Sequence, residues 1–574
     1  MGTVRKEIED EINKHAQAIV SLRRRLNATT TVARLLPELL SEIFIHVARD
    51  SYENAQRLSI YTYSSRTTAW ITVAQVCHSW RQVALSSPRM WSHLVLVGKR
   101  SADELLLRSK KAPLRIVAIL TALDNERCKV LENILDRESE RVKELYLTGT
   151  PRLLQNACKK ISQPAVLLET LVLSQTYPPS TDEGLPPIPQ TLSPHLLPRL
   201  RSLELRRLRF KWDHPILCTS LTTLVIHGRM GSMVGTFEHL LSAVEGMPDL
   251  EVLELDGVIP PLPADAIAIP ACSRKIPLPH LQYISLSDSP LDCANLLNHF
   301  VLSTTPRLKL VARGAPKNAA FFTQIREQLS RAPSLQTLLI EHSLTDRILT
   351  GWRTLIEVDP TDPTMSSDSS GCDLRLETNR NTLLVPQLIV GGDVAHFGSI
   401  LRLEVRSGRG GFDWASIFKA MPLIRVLSVQ DSQLRQVTDG LSSVLDQDGS
   451  HPMVVLPYLH TLVLHDIRLC EPHDPELLDE LVDCLIERCN YGVAVQELHL
   501  SSCINTGPEE VDRLREIVPE VTWDGIQDYD ELIEDEDDDM DGEYLFDNVY
   551  GELLYDHDLD LDDYNDLLPI YDFW

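Results

Sequence analysis

The side chains best suited to covalent chemistry lie along this chain without the spacing that catalysis requires. The 574 residues include 11 cysteines and 18 histidines, but no CxxC, HExxH, GxSxG, P-loop or GxGxxG pattern. Cys77 and His78 are adjacent, yet neighbours in sequence do not have the geometry of a nucleophile and its base. Cys484 shares a helical apolar face with Leu481 and Leu485, as is typical of a buried free thiol. We therefore predict a non-catalytic protein with no metal site and no cofactor.

The formal charge of −27 is concentrated at one end of the chain. Residues 528–574 contain 20 acidic residues and no Lys or Arg, which leaves 62 acidic and 55 basic residues in 1–527, a balance of −7. Nine aromatic residues interrupt this acidic segment. The composition predicts a disordered tail over 526–574. Such a tail either binds something basic, for example a histone, a ribosomal protein or a basic patch elsewhere on this chain, or only keeps the chain soluble.

Three short amphipathic patterns follow one another between residues 33 and 94. The first places six apolar side chains on one helical face, and Pro37 predicts where that helix begins: Leu36, Leu39, Leu40, Ile43, Phe44 and Val47. The second predicts another shared helical face: Val73, Val76, Cys77, Trp80, Val83 and Ala84. Ser87-Pro88 opens a third, shorter turn that carries Met90 and Trp91. A polar link from about Arg49 to Thr68 is expected between the first two helices.

This ordered set of residues resembles an F-box. The matching segments are LPELLSEIF, then VCHSWRQVA, then Pro88 and Trp91, all between residues 36 and 91. Compact F-boxes have a shorter link, and the long one is similar to that of many fungal members. The resemblance implies that residues 31–95 dock a Skp-type adaptor of a cullin–RING ubiquitin ligase through these residues: Leu36, Pro37, Leu39, Leu40, Ile43, Phe44, Val76, Cys77, Trp80, Pro88 and Trp91. The alternative is an ordinary helical hairpin that caps the next domain.

A separate amphipathic helix is predicted at residues 4–26, within an N-terminal segment of residues 1–30. Its apolar positions follow a heptad seam: Ile8, Ile12, His15, Ile19, Leu22 and Leu26. This seam either supports weak self-association or packs back on the rest of the chain. Because it spans only about three heptads, the lower limit for a coiled coil, we expect it to pack back.

The pattern L-x-x-L-x-L recurs through the remainder of the chain. Eleven copies begin at residues 142, 168, 200, 221, 250, 281, 335, 400, 424, 459 and 495, and a degraded copy lies near 305–311. Helical patterns lie between them, for example at 236–247, 319–332 and 475–489. These units resemble leucine-rich repeats. The predicted fold class is α/β: a short all-α F-box, then an irregular leucine-rich-repeat solenoid over 96–525 with parallel strands inside and helices outside.

Each copy also predicts which side chains face a partner. The first, fourth and sixth positions point into the core, and the third and fifth point outward from a concave sheet. The candidate substrate-binding residues are Glu204, Val225, Glu254, Tyr283, Ser428, Val463 and His499. These positions form no basic stripe, so we expect no nucleic-acid partner. Alternatively the sheet is only a scaffold, and the target binds the tail or the loops at 177–194, 258–279 and 357–373.

The sequence has no run of residues suited to a membrane span and no secretory signal, so we expect a cytoplasmic or nuclear protein that contacts no membrane.

Two functional hypotheses follow. In the first hypothesis the chain is the substrate-recognition subunit of an SCF-type ubiquitin ligase. In the second it is a ligase-independent interaction scaffold, or a chaperone whose acidic tail binds a basic protein.

Overall fold

The structure of the chain is a computed structural model. It describes residues 2–57, 65–96, 98–121, 123–176, 188–190, 192–217, 220–228, 233–263, 265–266, 268–272, 274–302, 306–314, 320–343, 345–357, 371–379, 386–390, 397–407, 413–430, 434–442, 444–445, 453–469 and 477–526. Residues 527–574 of the predicted acidic tail lie outside the described residues, as do most of the loops predicted at 177–194 and 357–373.

The described α-helices alternate with strands along most of the chain. They are α1 (Gly2–Asn27), α2 (Pro37–Arg57), α3 (His78–Ser86), α4 (Lys99–Ser109), α5 (Asn125–Glu138), α6 (Pro151–Lys159), α7 (Phe237–Glu245), α8 (Pro290–His299), α9 (Ala320–Ser330), α10 (Trp414–Ala420), α11 (Leu434–Leu441), α12 (Leu477–Asn490) and α13 (Pro508–Arg515). Short 3-10 helices lie at Thr31–Arg34, Ser65–Gln75, Met90–Ser92 and Ser139–Arg141, and a π-helix at Pro386–Val390. Among the described helices, none combines the length and the apolar character needed to cross a membrane.

The strands are short, with two to eight residues each. They are β1 (His93–Val95), β2 (Leu114–Leu120), β3 (Val142–Gly149), β4 (Thr170–Gln175), β5 (Ser202–Arg206), β6 (Phe210–Lys211), β7 (Thr223–His227), β8 (Met233–Val234), β9 (Val252–Asp256), β10 (Ile276–Leu278), β11 (Tyr283–Asp288) and β12 (Phe300–Leu302). The second half contains β13 (Arg307–Ala312), β14 (Thr337–His342), β15 (Asp346–Trp352), β16 (Leu374–Asn379), β17 (Arg402–Ser407), β18 (Val426–Gln430), β19 (Val444–Leu445), β20 (Met453–Val454), β21 (Thr461–His465), β22 (Glu497–Ser501) and β23 (Glu520–Trp523).

Seventeen of the described strands form one large, mostly parallel sheet, so the chain is a mixed α/β protein. Each of the eleven predicted repeats contributes a strand to this sheet, and the degraded copy supplies β13. The sheet begins two strands before the first predicted repeat, with β1 and β2. It also extends one strand beyond the last predicted repeat, to β23.

The strand order departs from the chain order in the middle of the sheet. β13 pairs with β16 rather than with β14, and β14 pairs with β17. In the sheet, β15 lies between β14 and β16 and is antiparallel to both. The gap between the seventh and eighth predicted repeats therefore holds two strands: β15, which forms a hairpin with β14, and β16. A simple succession of parallel repeats, as the spacing predicts, is wrong at this point.

The core lies between this sheet and the helices on one of its sides. The first, fourth and sixth positions of the repeats are buried as predicted; Leu221, Leu224 and Ile226 are each at most 1% exposed. Neighbouring helices cover them, with α5 against α6, α8 against α9, and α11 between α10 and α12. Each unit thus supplies an apolar side that the next unit covers.

The predicted polar link between the first two N-terminal helices is shorter than expected. α2 continues to Arg57, well past the expected end at Arg49. Tyr52 and Ala55 explain this extension, because both are buried against Val95 and Val117 of the sheet. The sequence pattern alone could not show this, since the apolar partners of Tyr52 lie 40 residues or more further along the chain.

Candidate functional site

Helix α2 has two apolar faces, and only one of them belongs to the core. Leu40, Phe44 and Ala48 are at most 5% exposed and pack inside the N-terminal helical module. Four other apolar side chains at helical spacing are 38–63% exposed and form what we call the apolar stripe: Leu36, Leu39, Ile43 and Val47. The six apolar residues predicted on one helical face therefore do not share one environment. The helix divides them between the interior and the surface.

Aromatic contacts hold the inner face of α2 in place. The rings of Phe44 and Trp80 are 5.1 Å apart between centroids, which joins α2 to α3. The indole N–H of Trp91 donates a hydrogen bond to the carbonyl oxygen of Ala84 at 2.7 Å, and its ring lies 5.5 Å from that of Trp70. The contact between Phe44 and Trp80 holds the inner face of α2 against α3, so the core determines the orientation of the apolar stripe.

Polar contacts join α2 to the turn that carries Pro88. The hydroxyls of Ser41 and Ser87 are 2.6 Å apart, and the Arg89 guanidinium lies 2.9 Å from the carboxylate of Glu42. Pro88 itself is half-buried. Both contacts sit on the flank of α2, beside the apolar stripe rather than on it, and leave its side chains exposed.

The second predicted helix is shorter than its apolar pattern implies. α3 begins only at His78, and the residues before it form a 3-10 helix that ends at Gln75. Cys77 has an extended backbone, and its Sγ accepts a hydrogen bond from the Trp80 backbone N–H at 3.5 Å, so it caps α3. Val76, next to this break, is 61% exposed. The predicted common face from Val73 to Ala84 is wrong, because the cap interrupts the helical period.

The structure thus sorts the predicted adaptor-binding residues by position. Those at the surface are Leu36, Pro37, Leu39, Ile43 and Val76. Those half-buried are Cys77, Trp80 and Pro88, and those in the core are Leu40, Phe44 and Trp91. Sequence reasoning placed Val47 on the same face but left it out of the candidate site. Because Val47 is exposed, like the other members of the apolar stripe, the structure adds it to the candidate site.

On the opposite side of the sheet from its packed helices, one residue from each strand forms a continuous row. We call it the ladder row, and its members in spatial order are Val95, Val117, Tyr146, Val172, Glu204, Val225, Glu254, Ser285, Lys309, Arg375, Thr350, Leu339, Glu404, Ser428, Val463, His499 and Thr522. Six of the seven predicted substrate-binding residues belong to it. The seventh, Tyr283, lies in the adjacent row beside Val252 and Arg307.

The ladder row is accessible from Val172 to Glu254, which we call the accessible half, and buried from Thr350 to Val463, which we call the buried half. Glu204, Val225 and Glu254 are half-buried, as is Tyr283 in the adjacent row. Ser428 and Val463, by contrast, are only 4% and 1% exposed. Their prediction as surface residues is wrong, because a period-two pattern determines which side of a sheet a residue faces but not what covers that side. His499 lies at the far end, with its side chain 18% exposed.

Part of the covering of the buried half is visible. Trp352 packs on Leu339 of the ladder row, and Ile356 and Cys372 pack against both. The buried guanidinium of Arg402 donates hydrogen bonds to the carbonyl oxygens of Ile356 at 3.0 Å and Glu357 at 2.8 Å. The chain after β15 therefore crosses over β14 and β17 on the ladder side.

Ion pairs order the side chains of the accessible half. The imidazole of His227 lies 2.8 Å from the carboxylate of Glu254, and this hydrogen bond lowers the pKa of Glu254. The guanidinium of Arg206 forms a second ion pair, with the carboxylate of Glu204. The Arg307 guanidinium lies 5.8 Å from the ring centroid of Tyr283. This half therefore presents alternating charged, aromatic and apolar groups in fixed positions.

A polar cleft of about 420 Å³ lies where α2 meets the first strands of the ladder row. It is lined by Arg49, Tyr52, Glu53, Gln56, Arg115, Glu144 and Tyr146. Arg115 and Glu144 form an ion pair at 2.7 Å across its floor, and burial raises the pKa of Tyr146 to about 12. Sequence reasoning missed this cleft, since its α2 residues were assigned to a polar link.

Among the residues described, no three His, Cys, Asp or Glu side chains are grouped so that they could hold a metal ion. A scan against models of known protein families found no match to this chain, and a search of curated proteins found no similar sequence.

Proposed function

We propose that this protein is the substrate-recognition subunit of an SCF-type ubiquitin ligase. In this proposal residues 31–95 are an F-box that docks a Skp-type adaptor, and the sheet with its helices is an irregular leucine-rich-repeat solenoid that binds the target. The chain carries out no bond chemistry. It contributes by holding the target close to a partner enzyme.

The apolar stripe is the observation that carries this proposal. A helix that only capped the sheet would bury its apolar side chains, and α2 already does so with Leu40, Phe44 and Ala48. Leu39 and Ile43 are 53% and 45% exposed, which such a cap does not explain. Contiguous exposed apolar side chains on one helix mark a protein interaction surface. Their order with VCHSWRQVA, Pro88 and Trp91 is that of an F-box.

For the target we propose the accessible half of the ladder row, together with Tyr283. It spans β4 to β11 and mixes apolar, aromatic and charged groups held by ion pairs. Fixed groups of mixed chemistry suit specific recognition of a protein surface, since they lose little conformational freedom on binding. The buried residues Ser428 and Val463 are not part of this proposed surface.

Adaptor binding is tested by co-purification of the full chain with a Skp-type adaptor. We expect Ile43→Asp to weaken the complex at least about tenfold, because the carboxylate would be desolvated in an apolar interface. The matched control is Ile486→Asp, which changes the same residue type at a helical position of similar exposure, 42%. Equal binding by both variants, with unchanged melting temperatures, would refute the proposal.

Ligase function is tested by target turnover. Proteins that co-purify with the full chain are identified, and their half-lives are compared in cells that express the wild type or Ile43→Asp. Longer half-lives with Ile43→Asp support the substrate-receptor function. If the adaptor binds but no half-life changes, the scaffold or chaperone hypothesis replaces it.

A further inference from the structure

Helix α1 presents an apolar seam that the described chain leaves open. Its aliphatic members are each 51–68% exposed: Ile8, Ile12, Ile19, Leu22 and Leu26. His15, the remaining seam position, is exposed as well. The expectation that this helix packs back on the rest of the chain is therefore wrong for the described residues. A 26-residue helix with a sustained heptad seam is typical of a coiled-coil strand.

We propose that α1 pairs with α1 of a second copy of this chain, as an antiparallel two-stranded coiled coil. This inference concerns self-association and goes beyond the proposed ligase function. The side chains that would face each other favour both this partner and this orientation.

Antiparallel pairing aligns the seam in matched apolar layers. In the heptad, Ile12, Ile19 and Leu26 occupy a positions, and Ile8, His15 and Leu22 occupy d positions. An antiparallel pair packs a positions against d positions. Ile8 then faces Leu26 of the second copy, Ile12 faces Leu22, and Ile19 faces His15. All six seam positions of each helix are used.

The charges beside the seam match this orientation. Glu9 and Glu11 flank the N-terminal half of the seam, and Arg23 and Arg25 flank the C-terminal half; all four are exposed. In the layer alignment above, Glu9 lies opposite Arg23 of the second copy, and Glu11 opposite Arg25. Symmetry doubles these contacts to four ion pairs. Charges at these flanking positions determine orientation and partner choice in coiled coils.

The centre of the helix supports the same orientation. On the twofold axis of an antiparallel pair, Ala16 and Ala18 would each face the identical residue of the second copy. Charged residues at these positions would repel their own copies, and both are alanine. In a parallel, in-register pair, Glu11 would face Ala16, Arg23 would face Ala18, and His15 would pack against His15. That arrangement forms none of the four ion pairs.

The contact that Glu9 already makes does not oppose this pairing. Within the helix it lies 2.9 Å from Arg5, but the two side chains are 56% and 83% exposed. Exposed pairs of this kind contribute little to stability. Glu9 is therefore available to Arg23 of a second copy.

Antiparallel pairing has a consequence that rests on the proposed function. The C-terminal ends of the two α1 helices, each of which leads to its own α2, would lie about 30 Å apart along the axis. The two segments that carry the apolar stripes would then begin at opposite ends of the paired helices. The dimer would present two adaptor sites and two ladder rows to one target assembly.

The test is sedimentation equilibrium of the full chain without adaptor, so that its failure is distinct from failure of the proposed function. We expect a dimer for the wild type. Glu9→Arg/Glu11→Arg and Arg23→Glu/Arg25→Glu should each raise the dimer dissociation constant at least about tenfold, because all four pairs become repulsive. An equimolar mixture of the two variants should dimerise again, since every antiparallel pair is then attractive.

Matched controls use the outer side of the same helix. Asp10→Arg and Arg24→Glu make the same types of charge change at positions opposite the seam, and should leave the dissociation constant unchanged. Recovery in the mixture supports the antiparallel pair. A wild type that stays monomeric at tens of micromolar, or variants that show no recovery on mixing, would overturn the proposal.

Discussion

At the scale of single residues, some apolar side chains of the N-terminal motif are buried in the core and others lie at the surface. Phe44 is 1% exposed with its ring against Trp80, whereas Leu39, five residues earlier on the same helix, is 53% exposed. Both are apolar and belong to one sequence motif. Substitutions of the buried set would unfold the module, so only the exposed set can separate binding from stability.

We expect Phe44→Ala to lower the free energy of unfolding by about 4 kcal/mol, because it removes a fully buried aromatic ring. Leu39→Ala should change it by less than about 0.5 kcal/mol, because most of its side chain is in solvent. Denaturant unfolding of the full chain, followed by tryptophan fluorescence, measures both. Equal losses in the two variants would show that α2 does not divide its apolar residues as described.

His93 makes stability depend on pH. Burial, followed by the charge of Arg115, lowers the pKa of His93 to about 4. The unfolded chain binds the proton near pH 6.5, so the stabilising contribution is complete above that pH and is lost as pH falls toward 4. At pH 5 the loss is about 2 kcal/mol.

We expect His93→Phe to reduce the drop in unfolding free energy between pH 7 and pH 5 by about this amount. The aromatic replacement keeps the edge contact with Tyr52, whose ring lies 5.5 Å away. Between pH 7 and pH 8.5 neither state binds the proton, so both proteins should show the same slope there. An unchanged acid slope in the variant would contradict the assignment.

At the scale of elements, close helix packing requires small residues at particular places. Gly440 of α11 faces α10, and a Cβ placed there would lie 2.6 Å from the Cβ of Trp414 and 3.2 Å from the ring of Phe418. Both aromatic residues are buried, so neither can move aside without disturbing the core. The spacing between these two helices therefore depends on the absence of one methyl group.

We expect Gly440→Ala to destabilise the protein by about 1–3 kcal/mol through overpacking. At an open position within a helix the same change stabilises by about 1 kcal/mol, because alanine is the better helix former. The sign of the change in unfolding free energy thus decides the question. A stabilised variant would show that α10 and α11 are further apart than described.

At the scale of the whole molecule, two identical sequence patterns have different surroundings. Val225 in LTTLVI and Val463 in LHTLVL occupy the same fifth position and the same ladder row. Val225 is half-buried and Val463 is 1% exposed. The difference therefore lies in what covers the ladder side of the sheet at each position, and not in the sequence pattern.

We expect Val225→Lys to change the free energy of unfolding by less than about 1 kcal/mol, since the amine can reach water. Val463→Lys should cost about 3 kcal/mol or more, because it buries a charge without a partner. Thermal unfolding of the two variants gives the comparison. Similar melting temperatures would mean that the two halves of the ladder row are equally accessible.

The sequence by itself determined the repeating units and their core positions. The L-x-x-L-x-L spacing predicted eleven strands of the sheet and the buried positions within them, because a period of two and a neighbouring helical period are local properties of the chain. It also predicted the start of α2 at Pro37 and the presence of α1. The order of residues that resembles an F-box was visible in the sequence without any knowledge of contacts.

The tertiary structure alone decided which of these side chains are available. Three features depend on contacts between residues far apart in sequence: the apolar stripe, the extension of α2 over the first strands, and the pairing of β13 with β16 and of β14 with β17. Ser428 and Val463 are buried although their repeat positions point away from the core. Local periodicity specifies the direction in which a side chain points, but burial depends on what the rest of the chain places there. For this reason the predicted site residues separate into core and surface only once the chain is folded.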